Sequence, residues 1–187
     1  MINYSTVQSD QDLMGILKLQ SENLSYLLTP EEKVQEGFVT VKHDLATLKR
    51  MHDLEPSVIA LKNDTVVGYL LAMTSGSRFD ISILDPMFKM FEEINFKSKP
   101  IANYNYLVVG QVCVDKNFRG TGLLDEMYDY YRDQFSNKYD FAITEIIDTN
   151  MRSIRAHSRI GFELVHQYPA PDETRWHIVI WDWVIPV

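Results

Sequence analysis

Apolar positions along this chain follow a period of two in some stretches and a period near 3.6 in others, and each change of rhythm marks an element. Residues 2–7 read as a short first strand. Ser9 or Asp10 then caps a helix with apolar residues at Leu13, Ile16, Leu17 and Leu24. Thr29-Pro30-Glu31-Glu32 opens a second helix, with a capping hydroxyl, proline at the first position and acids in the first turn, and Gly37-Phe38-Val39-Thr40 interrupts it. Residues 43–53 form a third, carrying Leu45, Leu48 and Met51. Strands at 57–62 and 66–73 meet across Asn63-Asp64, a hairpin signal. After the strand at 106–114 come a helix at 123–135, a strand at 139–147 and a short helix at 150–159 stopped by Gly161. Strands at 163–167 and 175–184 close the chain as a hairpin with a long Pro-containing turn.

The order is βαα(α)ββ, then βαβα, then ββ, which implies a mixed sheet with helices on both faces. At 187 residues, with no repeat or linker-like tract, residues 1–187 are expected to form one domain. Residues 76–104 are less regular and crowded with Phe79, Ile81, Ile83, Leu84, Met87, Phe88, Met90, Phe91, Ile94 and Phe96. Asp85-Pro86 can start a helix there. This stretch can extend the core, cover a pocket or form a homodimer contact. Tyr104 and Tyr106 beside it are candidate pocket walls, and Trp181 and Trp183 read as edge-strand packing.

A formal net charge of −8 argues against nucleic acid as a partner, since phosphate contacts need lysine and arginine, and it tolerates a cationic substrate. The lone Cys113 excludes an internal disulfide framework and fits a reducing compartment. No apolar run is long enough to span a bilayer and no signal peptide is visible, so no membrane association and a cytoplasmic location are expected. His43, His52, His166 and His177 show no metal-ligand spacing, and no metal is expected.

The chemistry concentrates after the strand at 106–114. Arg119-Gly120-Thr121-Gly122 joins that strand to a helix, and glycines there allow successive N–H groups to converge while the helix start adds unpaired donors. No Lys-Ser or Lys-Thr follows the glycines, so a Walker loop is excluded, and a dinucleotide fingerprint would need a third glycine. A second block runs from Glu145 through Asn150, Ser153, His157 and Gly161-Phe162.

Together the two blocks resemble the GNAT superfamily of acyl-CoA-dependent N-acyltransferases. Its cofactor motif, [Gln/Arg]-x-x-Gly-x-[Gly/Ala], is matched by Arg119-x-x-Gly122-x-Leu124, with Leu124 in place of a small residue. Its second signature, Asn-x-x-[Ala/Ser] leading to Tyr-x-x-x-Gly-Phe, is matched by Asn150-x-x-Ser153 and His157-x-x-x-Gly161-Phe162, with histidine in place of tyrosine. The element order agrees along nearly the whole chain. The resemblance implies an α+β fold in α/β/α layers around a mixed, mostly antiparallel sheet. It also implies acetyl-CoA as co-substrate and transfer to a small-molecule amine or a peptide N-terminus through a ternary complex. The amides of Arg119, Gly120, Thr121, Gly122, Leu123 and Leu124 would cradle the pyrophosphate. The Arg119 side chain would either add charge or face solvent. Val112, Cys113 and Val114 would present their backbone to the pantetheine arm and the thioester carbonyl. Asn150 would contact the cofactor or the strand–helix junction.

Amine attack on a thioester needs a base, because an ammonium has no free lone pair. Ribosomal-protein N-terminal acetyltransferases carry a glutamate at the place of Glu145, five residues before Asn150, which makes Glu145 the first candidate and Asp148 the reserve. Alternation sets Glu145 on the face of Ile143 and Ile147, a partly apolar setting that would raise its pKa. Gln111 is neutral and cannot be the base. His157 would assist the departing thiolate as imidazolium or as an N–H donor. Cys113 is read as a wall residue rather than a nucleophile. A non-catalytic acyl-CoA-binding or partner-binding module on the same fold is the alternative, and acylation of a group other than an amine stays open.

Overall fold

The structure is a computed structural model that describes residues 1–79 and 84–184. The strands are β1 (Asn3–Thr6), β2 (Val58–Lys62), β3 (Thr65–Met73), β4 (Asn95–Phe96), β5 (Lys99–Pro100), β6 (Tyr106–Val114), β7 (Phe141–Ile147), β8 (Glu163–Pro169) and β9 (Arg175–Asp182). The helices are α1 (Asp10–Ser21), α2 (Pro30–Glu36), α3 (Leu45–Leu54), α4 (Asp85–Glu93), α5 (Leu123–Phe135) and α6 (Met151–Ile160). Seven strands form one sheet in the order β1-β2-β3-β6-β7-β9-β8, antiparallel except for β6 against β7, and β4 with β5 makes a separate two-stranded ribbon.

Local chemistry sets the boundaries. Ser9 and Asp12 form a reciprocal capping box at α1, as do Thr29 and Glu32 at α2, where Pro30 occupies the first turn. The β2–β3 turn places Asn63 and Asp64 at φ 48° and 60°, the left-handed region these two residues tolerate best among residues other than glycine. Asp44, not His43, caps α3 through Thr47 N–H, so the helix begins two residues later than its apolar pattern suggested.

Each sheet face carries its own core. One face packs Tyr69, Leu71, Tyr106, Phe141, Ile143 and Ile178 under α1, α3 and α4. The other packs Leu70, Leu107, Val109, Ala142 and Val179 under α5, whose Met127, Tyr128 and Tyr131 are buried. From the irregular stretch, Met87, Phe88, Phe91, Ile94 and Ile101 are buried in the first core. Ile81, Ile83 and the side chain of Phe79 lie outside the described residues. Tyr106 stacks on Phe141, and Tyr104 donates its hydroxyl to the Phe96 carbonyl at 2.8 Å. Both tyrosines therefore belong to packing rather than to a pocket wall, Tyr106 against Phe91 of α4 and Tyr104 against Phe96 and Phe141. Trp181 is buried on an interior strand against Tyr128 and Phe162, so it is core and not edge packing. Among the described residues no helix is long and apolar enough to cross a membrane.

One irregularity shapes everything that follows. Between β3 and β6 the register slips, Leu71 alone between Leu70 and Ala72 facing two residues between Val112 and Val109, so Gly110-Gln111 carries a bulge. On its other side β6 pairs with β7 only from Tyr106↔Phe141 to Val108↔Ile143, with Thr144 Oγ1 reaching the Val109 carbonyl at 2.8 Å. Beyond that point the strands part, while β7 stays paired with β9 as far as Ile147↔Trp176. The result is a wedge-shaped gap in the middle of the sheet.

Candidate functional site

The loop from β6 to α5 lies at the wide end of the gap. Asp115 accepts from the Asn117 amide at 2.8 Å and closes a short turn; Gly120 and Gly122 then take φ values of 74° and 90°. A side chain at either position would adopt that geometry only under strain. A Cβ on Gly120 would meet nothing within 4 Å, so the loop faces open space. Among the described residues no protein acceptor takes the N–H groups from Gly120 to Asp125, and the first bonded amide is Glu126, to the Gly122 carbonyl at 3.1 Å. This run of free donors heads a cleft of about 420 Å³, with Val112, Val114, Phe118 and α6 among its walls. Acids in the first turn of α5 would repel an anion, but both are engaged: Asp125 by Arg159 at 2.9 Å and Glu126 by the Tyr4 hydroxyl at 2.6 Å.

The backbone of β6 divides its duties by alternation. Asp115 N–H bonds the Val67 carbonyl, and Cys113 stands opposite Tyr69 in the same ladder. Val112 and Val114 accordingly turn their backbone groups into the gap. Cys113 is among the residues lining the cleft, its side chain belongs to the first core, and burial pushes its thiol up to about 12, so it supplies no thiolate at neutral pH.

Arg119 is neither solvated nor free. Its guanidinium donates to the Val114 carbonyl at 3.0 Å and also holds Glu36 and Asn23. It therefore fastens the end of α2 to the loop. The positive charge at the cleft comes instead from Arg152, Arg155 and Arg159, all in its lining. Arg155 meets no hydrogen-bond or ion-pair partner among the described residues. These arginines recur three and four apart on one helix face, a spacing visible in the sequence and passed over there.

At the narrow end a second crevice of about 80 Å³ is continuous with the first, sharing Phe38, Val112, Asn150, Ser153 and His157. Glu145 projects into it from β7. Burial raises the Glu145 carboxyl to about 7, against the opposing effect of the Tyr168 hydroxyl, which donates to it at 2.5 Å. Asp148 lies in the turn after β7 and does not line the crevice.

His157 reaches the junction of the two clefts, but its ring is committed elsewhere. Nδ1 lies 2.8 Å from the Ser153 carbonyl, which can only accept, so Nδ1 carries the hydrogen and Nε2 accepts from the Tyr128 hydroxyl at 2.7 Å. Burial moves its pKa down to about 4. The proton-donor role expected from its position finds no proton directed at the cleft here. Asn150 caps α6 through Ser153 N–H at 3.3 Å and donates to the Phe38 carbonyl at 3.1 Å, which matches the junction reading.

Behind the crevice lies a buried polar network. Gln111 accepts from Tyr69 at 2.6 Å and from Gln20 at 2.8 Å, and donates to the Val41 carbonyl at 2.8 Å. Gln20 also accepts the His43 amide at 2.8 Å, and His43 is held neutral, its pKa pushed down to about 4 by burial. With Val39 bonded to Asn23 and Phe38 to Asn150, residues 37–43 form a strap pinned across the crevice. Gln20 was the available clue: a polar side chain at a core position of the α1 pattern. Among the described residues no group of three or more His, Cys, Asp or Glu could hold a metal.

Residues 19–162 match the family model described as acetyltransferase (GNAT) family. No curated protein matches the chain in sequence. Among solved structures, the ribosomal-protein-S18-alanine N-acetyltransferase from Escherichia coli is similar over 100% of this chain and 97% of its own, at 11% identity and a TM-score of 0.65. The NatC complex bound to Gag peptide and CoA is similar over 97% of this chain and 98% of that one, at 12% identity and a TM-score of 0.66. YncA from Salmonella typhimurium, solved with its cofactor acetyl-CoA, is similar over 100% and 96%, at 16% identity and a TM-score of 0.63. At these identities the likeness is one of fold.

Proposed function

Because the chain belongs to the acetyltransferase (GNAT) family, we propose that it transfers an acetyl group from acetyl-CoA directly to a primary amine while both are bound. The observation that carries this reading is the run of unpartnered amides at Gly120–Asp125 heading a cleft that continues to a buried carboxylate. Those donors and the open space before Gly120 fit a pyrophosphate at a helix N-terminus. Arg155 and its neighbours on α6 would add charge to the same phosphates. The β6 backbone at Val112 and Val114 would take the pantetheine arm as a strand takes a partner, and a Val112 N–H would stabilise charge developing on the thioester oxygen. Acetyl-CoA supplies the acetyl group as a thioester.

Glu145 is the base. A carboxyl near 7 is ionised in about half the molecules at neutral pH, enough to accept a proton from an ammonium and release the lone pair that attacks. Tyr168 holds the carboxylate in place. A coenzyme A thiolate, with a pKa near ~8.5 like that of cysteine, can leave without prior protonation, so the engaged ring of His157 is no obstacle. His157 serves instead as a brace between Ser153 and Tyr128. Glu145→Gln keeps the shape and removes the base. It should lower kcat by ~10²–10⁴-fold, measured as thiol release, and leave acetyl-CoA affinity within about threefold by calorimetry. Full turnover in that variant would remove Glu145 from the chemistry.

A further inference from the structure

Resting on the transferase reading, we infer that the acceptor is an unbranched primary alkylamine, presented end-on as a CH2–NH2 group, and not a nitrogen on a branched carbon such as a peptide N-terminus. Size is the first argument. The crevice at Glu145 holds about 80 Å³. It is the narrow arm of a cleft whose wide end holds about 420 Å³, so a nitrogen on an unbranched carbon enters it best.

The walls cannot easily withdraw. Phe38, Val39 and Thr40 line one side and belong to the strap, which Asn150, Asn23 and Gln111 pin at the Phe38 carbonyl, the Val39 amide and the Val41 carbonyl. Trp176 closes another side on a strand paired with both β7 and β8.

Polarity is the second argument. Of the buried polar side chains in the lining, Gln111 is committed to Tyr69, Gln20 and Val41, Thr144 to the Val109 carbonyl, and Asn150 to Phe38 and Ser153. An acceptor with an amide or hydroxyl beside its nitrogen would find none of these side chains free to bond it. An alkyl chain needs none. The crevice lining carries no lysine or arginine, and its histidine is neutral. A carboxylate and an aromatic ring in one lining, Glu145 and Trp176, suit an incoming ammonium.

The test is the rate of thiol release at saturating acetyl-CoA with n-butylamine, sec-butylamine and alaninamide, with acetyl-CoA binding measured on the same protein. The expected order is n-butylamine first, with kcat/KM at least tenfold above sec-butylamine and further above alaninamide. Phe38→Ala and Trp176→Ala should each narrow the ratio between the two butylamines. Equal or better use of sec-butylamine or alaninamide overturns the inference, as does an unchanged ratio in both variants. Acetyl-CoA binding with no acetylation of any of the three overturns it too. Failure to bind acetyl-CoA would instead remove the transferase reading beneath it.

Discussion

The two ends of the gap between β6 and β7 handle polar groups in opposite ways. At the wide end the backbone amides from Gly120 to Asp125 have no protein partner. At the narrow end Gln111, Thr144, Asn150 and His157 are each bonded within the protein. A surface of free donors waits for a ligand rich in acceptors. A surface of satisfied groups offers shape, one titratable carboxylate and little else. The contrast teaches that, on the proposed reading, the first end would recognise by hydrogen bonding, which motifs record, and the second by shape, which they do not.

Gln111→Leu attacks the satisfied end hardest. It leaves the Tyr69 hydroxyl, the Gln20 amide and the Val41 carbonyl without their partner, and should destabilise the fold by about 2–4 kcal/mol in chemical denaturation. A loss under 1 kcal/mol would mean that the strap is not held as described.

Glu145 tests the same end through pH. Its folded value, about 7, lies above the ordinary 4.5, so the fold favours the neutral acid. That contribution is present below pH 4.5 and is lost as pH rises through 7. Glu145→Gln stays neutral and can still accept from Tyr168. At pH 8 it should therefore exceed the wild type by roughly 1–3 kcal/mol, with the advantage gone at pH 4. Melting temperatures at the two pH values decide this, and the wild-type kcat/KM should rise with pH through about 7.

Gly122→Ala probes the open end. A Cβ at φ 90° costs about 1 kcal/mol of stability, and it stands where the coenzyme phosphates would approach. Acetyl-CoA affinity should fall roughly tenfold or more by calorimetry, with the pH profile of turnover unmoved. Arg155→Ala has the smallest expected effect, a weakening of acetyl-CoA binding of about three- to tenfold that shrinks as salt is raised. A change in amine selectivity from either variant would erase the division between the two ends.

Legibility in the sequence followed the same division. Loop, glycines and helix start are contiguous, so Gly120 and Gly122 could be read directly. Glu145 was singled out through the resemblance to ribosomal-protein N-terminal acetyltransferases, and strand alternation anticipated the apolar setting that raises its pKa. Arg119 and His157 were placed correctly on their elements and misjudged in their contacts, since Glu36, Asn23 and Tyr128 come from remote segments. Tyr104 and Tyr106 were near the site in the chain and packed into the first core in space.

Periodicity, caps and glycine positions are local properties, set by backbone sterics and by neighbours within a turn, and they sufficed for the elements of the main sheet, the order of those elements and the glycine loop before α5. The bulge at Gly110-Gln111, the parting of β6 from β7 and the strap over the crevice arise from pairings between residues tens of positions apart. Volume and dielectric at Glu145 follow from those pairings, because both depend on what surrounds a group and not on what precedes it in the chain.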